Sequence, residues 1–337
     1  MNFSIAPFNA DSLPDSNPMK LWPSLAEKAF CLKYGARKEE TLFYYDAPPP
    51  DVAPSKAGLL DTVLSDAPVV VLIHGLGDEA DTWRHIIPLL SSRGYRVLAV
   101  DLPGFGRSVS PGKIGLENHA AAVLGLVEAV MQTSGQSGKD VFLAGSSMGA
   151  MVAETLVLEK PELVRGLILI DGTIPGGPSN PGPFTLAKLL FRKKWYRAYQ
   201  ENPEGAWASL RPYYADLDSL PQEDKEFLRE RVLARVGSRS QERAFFQTQN
   251  SMIKVYLTGT SRFARGIQRY KGKILLLWGE ADRIIPLSST ERFKTLRTDI
   301  ELKIISGAGH LPQQENPGET AQFMADFMDM VKDLQPE

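Results

Sequence analysis

Cysteine is all but missing from this 337-residue chain: Cys31 stands alone, so no internal disulfide can form, and the ordinary role for such a thiol is that of a small apolar side chain. No apolar run is long enough to span a bilayer. The start, Met1-Asn-Phe-Ser-Ile-Ala-Pro7, lacks the basic segment followed by an apolar one that marks a secretory leader. A cytoplasmic location is the expectation. Neither sign of charge is in large excess; a net charge of -2 removes the electrostatic case for nucleic acid or an anionic membrane surface. No repeat of fixed period occurs, and Pro48-Pro-Pro50 is the one low-complexity run. What is present, 43% hydrophobic and 23% charged residues, suits a globular protein. The length suits one core domain with a substantial insertion.

Short apolar runs alternate with helical patterns. Val69–Ile73, Arg96–Val100, the run from Val141 that ends in Gly145-Ser-Ser-Met-Gly149, and Val164–Ile170 are too short for helices and fit strands buried on both faces of a parallel sheet. Between them, helices are expected over about Thr82–Arg93, Leu116–Thr133 and Met148–Glu159, the last ended by Pro161. That order predicts a doubly wound, mostly parallel sheet. After Asp171-Gly172 the rhythm stops: Thr173–Pro183 is rich in Gly and Pro, and Phe184 to about Gly266 reads as helical throughout. Lys273–Trp278 and Glu301–Ile305 then resume the sheet, and Thr320–Lys332 closes it. We therefore expect an N-terminal arm with the first strand or strands over residues 1–66, a core of 67–172 and 267–337, and a helical lid over 173–266. Thr41–Tyr45 has strand propensity, whereas the four prolines before residue 24 predict an irregular arm with a short helix at about Leu25–Tyr34.

Gly145-Ser-Ser-Met-Gly149 joins a strand to a helix. A serine at the apex of such a turn projects over the strand's C-terminal edge, and small residues two before and two after let the backbone fold back, so Ser147 is the candidate nucleophile. A serine hydroxyl needs a base, and the base needs an orienting acid. Of the four histidines, His310 sits in the glycine-rich loop Ser306-Gly-Ala-Gly-His310, just past the last strand and at the same sheet edge as Ser147. His74 reads as a loop brace, and His85 and His119 as solvated or packed. Two acids stand just beyond strands, Asp171 and Asp282. Asp282 is preferred because the order nucleophile, acid, histidine is the expected one and the adjacent strand carries His310; Asp171 could instead stabilise the turn into the lid, and Glu280 is a weaker competitor. For the developing oxyanion, the backbone N–H groups of Met148 and Leu76 are the candidate donors.

With these residues in place the chain resembles the α/β-hydrolase superfamily over about residues 67–332. The resemblance is carried by His74-Gly-Leu-Gly77, Asp101-Leu-Pro-Gly-Phe-Gly-Arg-Ser108, Gly145-Ser-Ser-Met-Gly149, Trp278-Gly-Glu-Ala-Asp282 and Gly309-His310. It implies a triad of Ser147, Asp282 and His310 beneath a helical cap, with no cofactor and no metal. Scattered acids and histidines show no metal-ligand spacing either. Haloalkane dehalogenases and epoxide hydrolases of this superfamily carry aspartate at the elbow, where this chain has Ser147. Carbon–carbon bond hydrolases of ring-cleavage products usually place asparagine before the serine and tryptophan after the histidine; here those positions are Ser146 and Leu311.

An esterase or lipase-like serine hydrolase acting on a small-molecule ester is thus the leading expectation. The carbon–carbon hydrolase is the runner-up, and a triad-retaining small-molecule receptor is the alternative from another class. The first cap helix, with Phe184, Leu189, Trp195, Tyr196 and Tyr199, suggests an apolar acyl or aromatic substrate group. Its interleaved Lys188, Arg192, Lys193, Lys194 and Arg197 read as a solvated surface rather than a membrane contact, since Lys193 falls among the leucines.

Overall fold

In the computed structural model, residues 4–9, 20–33, 40–50, 67–110, 112–134, 141–174 and 183–334 are described. Residues 51–66 of the expected arm and 175–182 of the Gly/Pro-rich Thr173–Pro183 stretch fall outside them, as do the side chains of 183–191.

A nine-stranded sheet runs in the order β1-β2-β3-β5-β4-β6-β7-β8-β9. Its strands are β1 (Ser4–Pro7), β2 (Ala29–Lys33), β3 (Thr41–Ala47), β4 (Val69–Ile73), β5 (Arg96–Val100), β6 (Val141–Ser146), β7 (Val164–Ile170), β8 (Lys273–Gly279) and β9 (Glu301–Ile305). From β5 through β9 every pairing is parallel; β1, β2 and β3 extend the other edge antiparallel. The central strands are buried at every residue, and the pleat sends alternate side chains to opposite faces. Val69, Val71 and Ile73 join one hydrophobic cluster, with helices α2 (Leu116–Ser134) and α3 (Met148–Glu159). Val70 and Leu72 join the other, with α1 (Ile86–Ser91) and the closing helix α11 (Pro317–Asp333). A continuous apolar run is therefore the sequence of a strand clothed on both sides.

Between β7 and β8 lie α4 (Pro183–Glu201), α5 (Pro203–Ala208), α6 (Gln222–Gly237), α7 (Arg239–Thr258) and α8 (Thr260–Arg269). Two short helices complete the chain, α9 (Ser289–Lys294) and α10 (Pro312–Glu315).

Two expectations need correcting. The helix expected at Leu25–Tyr34 is absent from its described part: Pro23–Lys28 is a 3-10 turn and Ala29–Lys33 is strand, paired with β3 from Ala29↔Tyr45 to Lys33↔Thr41, and Tyr34 lies outside the described residues. The backbone partners on β3 outweigh a weak helical propensity there. The helix expected over Thr82–Arg93 is broken into a 3-10 turn, Ala80–Trp83, and the six-residue α1, because the chain first dips inward to bury Asp81 and Trp83.

Candidate active site

Ser147 has φ 55° and ψ −116°, an unfavourable region for a residue with a side chain. Its neighbours make that turn possible. A Cβ on Gly145 would overlap the Gly149 carbonyl, one on Gly149 would overlap the Ile73 carbonyl, and one on Gly172 would overlap the Ser147 backbone. In each case the obstacle is main chain, which cannot move aside as a side chain could. Ser147 N–H donates to Ile170 O at 2.8 Å, fixing the turn to the end of β7. Met148 opens α3; its side chain is buried in the core, leaving its backbone as the part adjacent to Ser147.

His310 and Asp282 meet although 28 positions apart: Nδ1 and Oδ2 are 2.8 Å from one another. The other carboxyl oxygen of Asp282 accepts the N–H groups of Ile284 at 2.7 Å and Ile285 at 3.0 Å, so the acid is held at both ends. His310 Nε2 is buried and makes no hydrogen bond, to Ser147 or to any other described group. Ser147 and His310 nevertheless line one cavity of about 240 Å³.

Asp171 comes to the same place. One oxygen of Asp171, one of Asp282 and one ring nitrogen of His310 lie within 4.8 Å of one another. Within that group Asp282 Oδ2 and His310 Nδ1 are bonded to each other, while Asp171 Oδ2 is buried with no hydrogen-bond donor among the described residues. Glu280, in contrast, is exposed and accepts from Ser306 Oγ at 2.7 Å, away from the histidine.

His74 braces a loop, as its sequence context suggests. Its Nε2 takes a hydrogen bond from the Leu102 N–H at 2.9 Å, so the proton is on Nδ1, which donates to Gly75 O at 2.7 Å. Asp78 N–H reaches the same carbonyl at 3.3 Å. In a trans peptide the C=O and the next N–H point opposite ways, so pinning the Gly75 carbonyl also sets the direction of the Leu76 N–H. Leu76 lines the cavity and Gly75 packs on Ser147. His119 is buried against Thr248 at 2.9 Å, and burial pushes it down to about 3, so it is neutral. His85 pairs with Asp224 at 2.8 Å.

Sequence reasoning did not find the groups that tie the helices between β7 and β8 to this site. Arg231 of α6 reaches Glu79 at 2.9 Å and Asp81 at 3.1 Å, and Arg235 reaches Glu79 at 3.3 Å and Asp78 at 3.4 Å. Asp81 also accepts from Arg107 at 2.6 Å and from the Tyr45 hydroxyl at 2.7 Å. Burial acts to raise Asp81, but Arg107 and Arg231 outweigh it and hold the carboxyl at about 2. Glu315 bridges the other side: its two oxygens accept from Ala215 N–H and Gly309 N–H, each at 2.7 Å, while His310 N–H donates to Tyr213 O at 2.8 Å. No local motif announces either set, because each partner reads alone as a solvated charge.

The cavity's outer wall is largely apolar, with Tyr196 and Tyr199 of α4, Leu210, Tyr213, Val232 and Phe245. Among the described residues, Arg235 is the one arginine or lysine in its lining. Of the basic residues on α4, Lys193, Lys194 and Arg197 are exposed, and Arg192 bonds Gln249 at 2.9 Å and Asn250 at 2.6 Å. No helix among the described residues is long and apolar enough to cross a membrane.

Residues 70–323 match the alpha/beta hydrolase family. Among curated relatives, an uncharacterized hydrolase, YugF, from Bacillus subtilis is 27% identical over 265 residues, 77% of this chain and 89% of that protein. A 2-hydroxy-6-oxononadienedioate/2-hydroxy-6-oxononatrienedioate hydrolase from Paraburkholderia phymatum is 27% identical over 262 residues, 77% of this chain and 86% of its own length. Among solved structures, a membrane phospholipase A described as a bacterial virulence factor superposes with a TM-score of 0.68 at 26% identity, covering 88% of this chain and 84% of that one.

Proposed function

The chain belongs to the alpha/beta hydrolase family, and from that premise we propose that it is a serine hydrolase cleaving uncharged carboxylic esters with apolar acyl or aromatic groups through an acyl-enzyme on Ser147. One observation carries the reading: His310 is oriented by Asp282 at 2.8 Å while its other nitrogen is left without a partner, and the strained Ser147 lines the same cavity. In the proposed cycle Ser147 Oγ attacks the ester carbonyl as His310 Nε2 takes its proton. The N–H groups of Met148 and Leu76 meet the oxyanion, removal of one such donor typically costing roughly 3 kcal/mol. His310 then protonates the leaving alcohol, and water repeats the attack on the acyl-enzyme.

The relatives named as 2-hydroxy-6-oxononadienedioate/2-hydroxy-6-oxononatrienedioate hydrolases, of which the Paraburkholderia phymatum protein is one, support a second reading, carbon–carbon bond hydrolysis. Their named substrates are dicarboxylates, which call for a free cation. Here the lining cation, Arg235, already faces Asp78 and Glu79 and donates to the Gly77 carbonyl. That favours a neutral ester. The cavity volume of about 240 Å³ lies below the roughly 300–1,000 Å³ of clefts for drug-sized ligands, which favours short acyl chains.

A p-nitrophenyl ester series tests this. Acetyl and butyryl esters should be turned over faster than palmitoyl, and Ser147→Ala should abolish turnover. Rapid cleavage of a ring-fission dienoate without ester turnover would establish the second reading instead. Ligand-induced stabilisation with no turnover of either would mark a receptor.

A further inference from the structure

Asp171 is a buried acid for which the catalytic cycle above has no use, yet it occupies a costly position. Its φ of 47° is the left-handed region, which residues with side chains enter reluctantly. Asp171 N–H donates to Leu277 O at 3.0 Å and its Oδ1 accepts the Gly279 N–H at 2.9 Å. Its Oδ2 is buried and meets no donor among the described residues. Asp282, within 4.8 Å, has the opposite endowment: two backbone N–H groups on one oxygen and the His310 ring on the other.

Two buried carboxylates at such a separation cannot both ionise without a cation, and among the described residues the charged groups facing Asp171 supply none. From the turn after β8 comes Asp282, from α10 comes Glu315, and from the turn after β9 comes His310, already engaged by Asp282. The pair therefore holds a proton, and the proton belongs on the carboxyl with fewer donors.

We propose that Asp171 is a positioning residue, a neutral carboxylic acid whose Oδ2–H donates to the Asp282 carboxylate and keeps that acid singly charged and fixed against His310. The proton stays on Asp171 throughout the cycle. Burial and the adjacent Asp282 both act to keep it there, raising the Asp171 carboxyl well above the usual carboxylate range. The inference rests on the triad reading given above. It assigns a role to the acid that the sequence offered as the alternative partner of the histidine.

The acid limb of the kcat/KM profile against pH separates the possibilities by sign. Asp171→Asn tolerates the left-handed backbone and keeps an N–H donor for Asp282, so its limb should coincide with wild type. Asp171→Ala removes the donor, makes the Asp282 carboxylate more basic and should move the limb to higher pH by about 0.5–1 unit. If both acids were ionised, either substitution would delete a negative charge and move the limb to lower pH, overturning the proposal. A limb unmoved in Asp171→Ala, with only kcat reduced, would show a merely structural residue and overturn it equally. Infrared difference spectra need no turnover and no Ala variant: at neutral pH wild type should show a protonated carboxylic C=O band that Asp171→Asn lacks. Absence of that band would overturn the proposal even if the esterase reading stood; its presence in a protein without hydrolase activity would leave the shared proton intact and reject the triad reading.

Discussion

Glu154 shows how one carboxyl can be set against its own solvation. It lies fully buried on α3, two turns from Ser147, and its oxygens accept from the Thr173 hydroxyl and the Ile174 N–H at 2.8 Å each. Burial dominates these bonds and raises the carboxyl from 4.5 to about 8. The folded state thus keeps a proton that the unfolded chain releases above about pH 4.5, so stability falls from there to about pH 8. Glu154→Gln, which keeps an acceptor for Ile174, should match wild type in urea melts near pH 4 and become the more stable protein above it. The advantage should grow by about 1.4 kcal/mol per pH unit across the window, reaching a few kcal/mol. At Asp282 the expectation concerns chemistry: Asp282→Asn should leave the fold intact and lower kcat by about 10⁴-fold, as loss of an orienting carboxylate does elsewhere.

Helix α6 is held to the loop after β4 by charge inside the protein. Arg231 is buried against Glu79 and Asp81, so Arg231→Met would take one cation from each of two buried carboxylates, leaving Glu79 to Arg235 and Asp81 to Arg107. Breaking such a pair from one side typically costs about 3–5 kcal/mol, which chemical denaturation would register. Glu315 joins the segment at Ala215 to the histidine loop at Gly309. Glu315→Gln would turn an N–H donor toward one of those N–H groups, loosening His310, and should lower kcat by about ten- to a hundredfold with a smaller change in stability. The contrast with β4 and β6 explains what could be read from the sequence. Those strands are legible because burial on both faces requires an unbroken apolar run. The serine turn is legible because backbone overlaps demand glycine at 145 and 149, two residues either side of the serine; the same demand at Gly172 comes from another strand end and carries no local signature. The Arg231–Glu79 pair, 152 positions apart, carries no local signature, and β2 was missed because its identity as a strand comes from β3 and not from its own propensity.

At the level of the whole molecule, the sheet brings residues 147, 171, 282 and 310 to one edge, and the helices between β7 and β8 cover them through an ionised latch. Asp81, held at about 2 against an ordinary 3.8, contributes stability that is present above pH 3.8 and is lost as pH falls through about 2. Acid unfolding should therefore begin in that window, and circular dichroism with added salt should show it to be more than surface charge screening. The family and a doubly wound, mostly parallel sheet were legible from the motifs and their order, whereas substrate size depends on a cavity wall built from side chains of separate elements. The most direct measurement is mass spectrometry of the protein quenched during turnover of p-nitrophenyl butyrate. The account predicts a butyryl adduct on the peptide containing Ser147, absent from Ser147→Ala; an adduct on another residue, or full turnover by that variant, would contradict it.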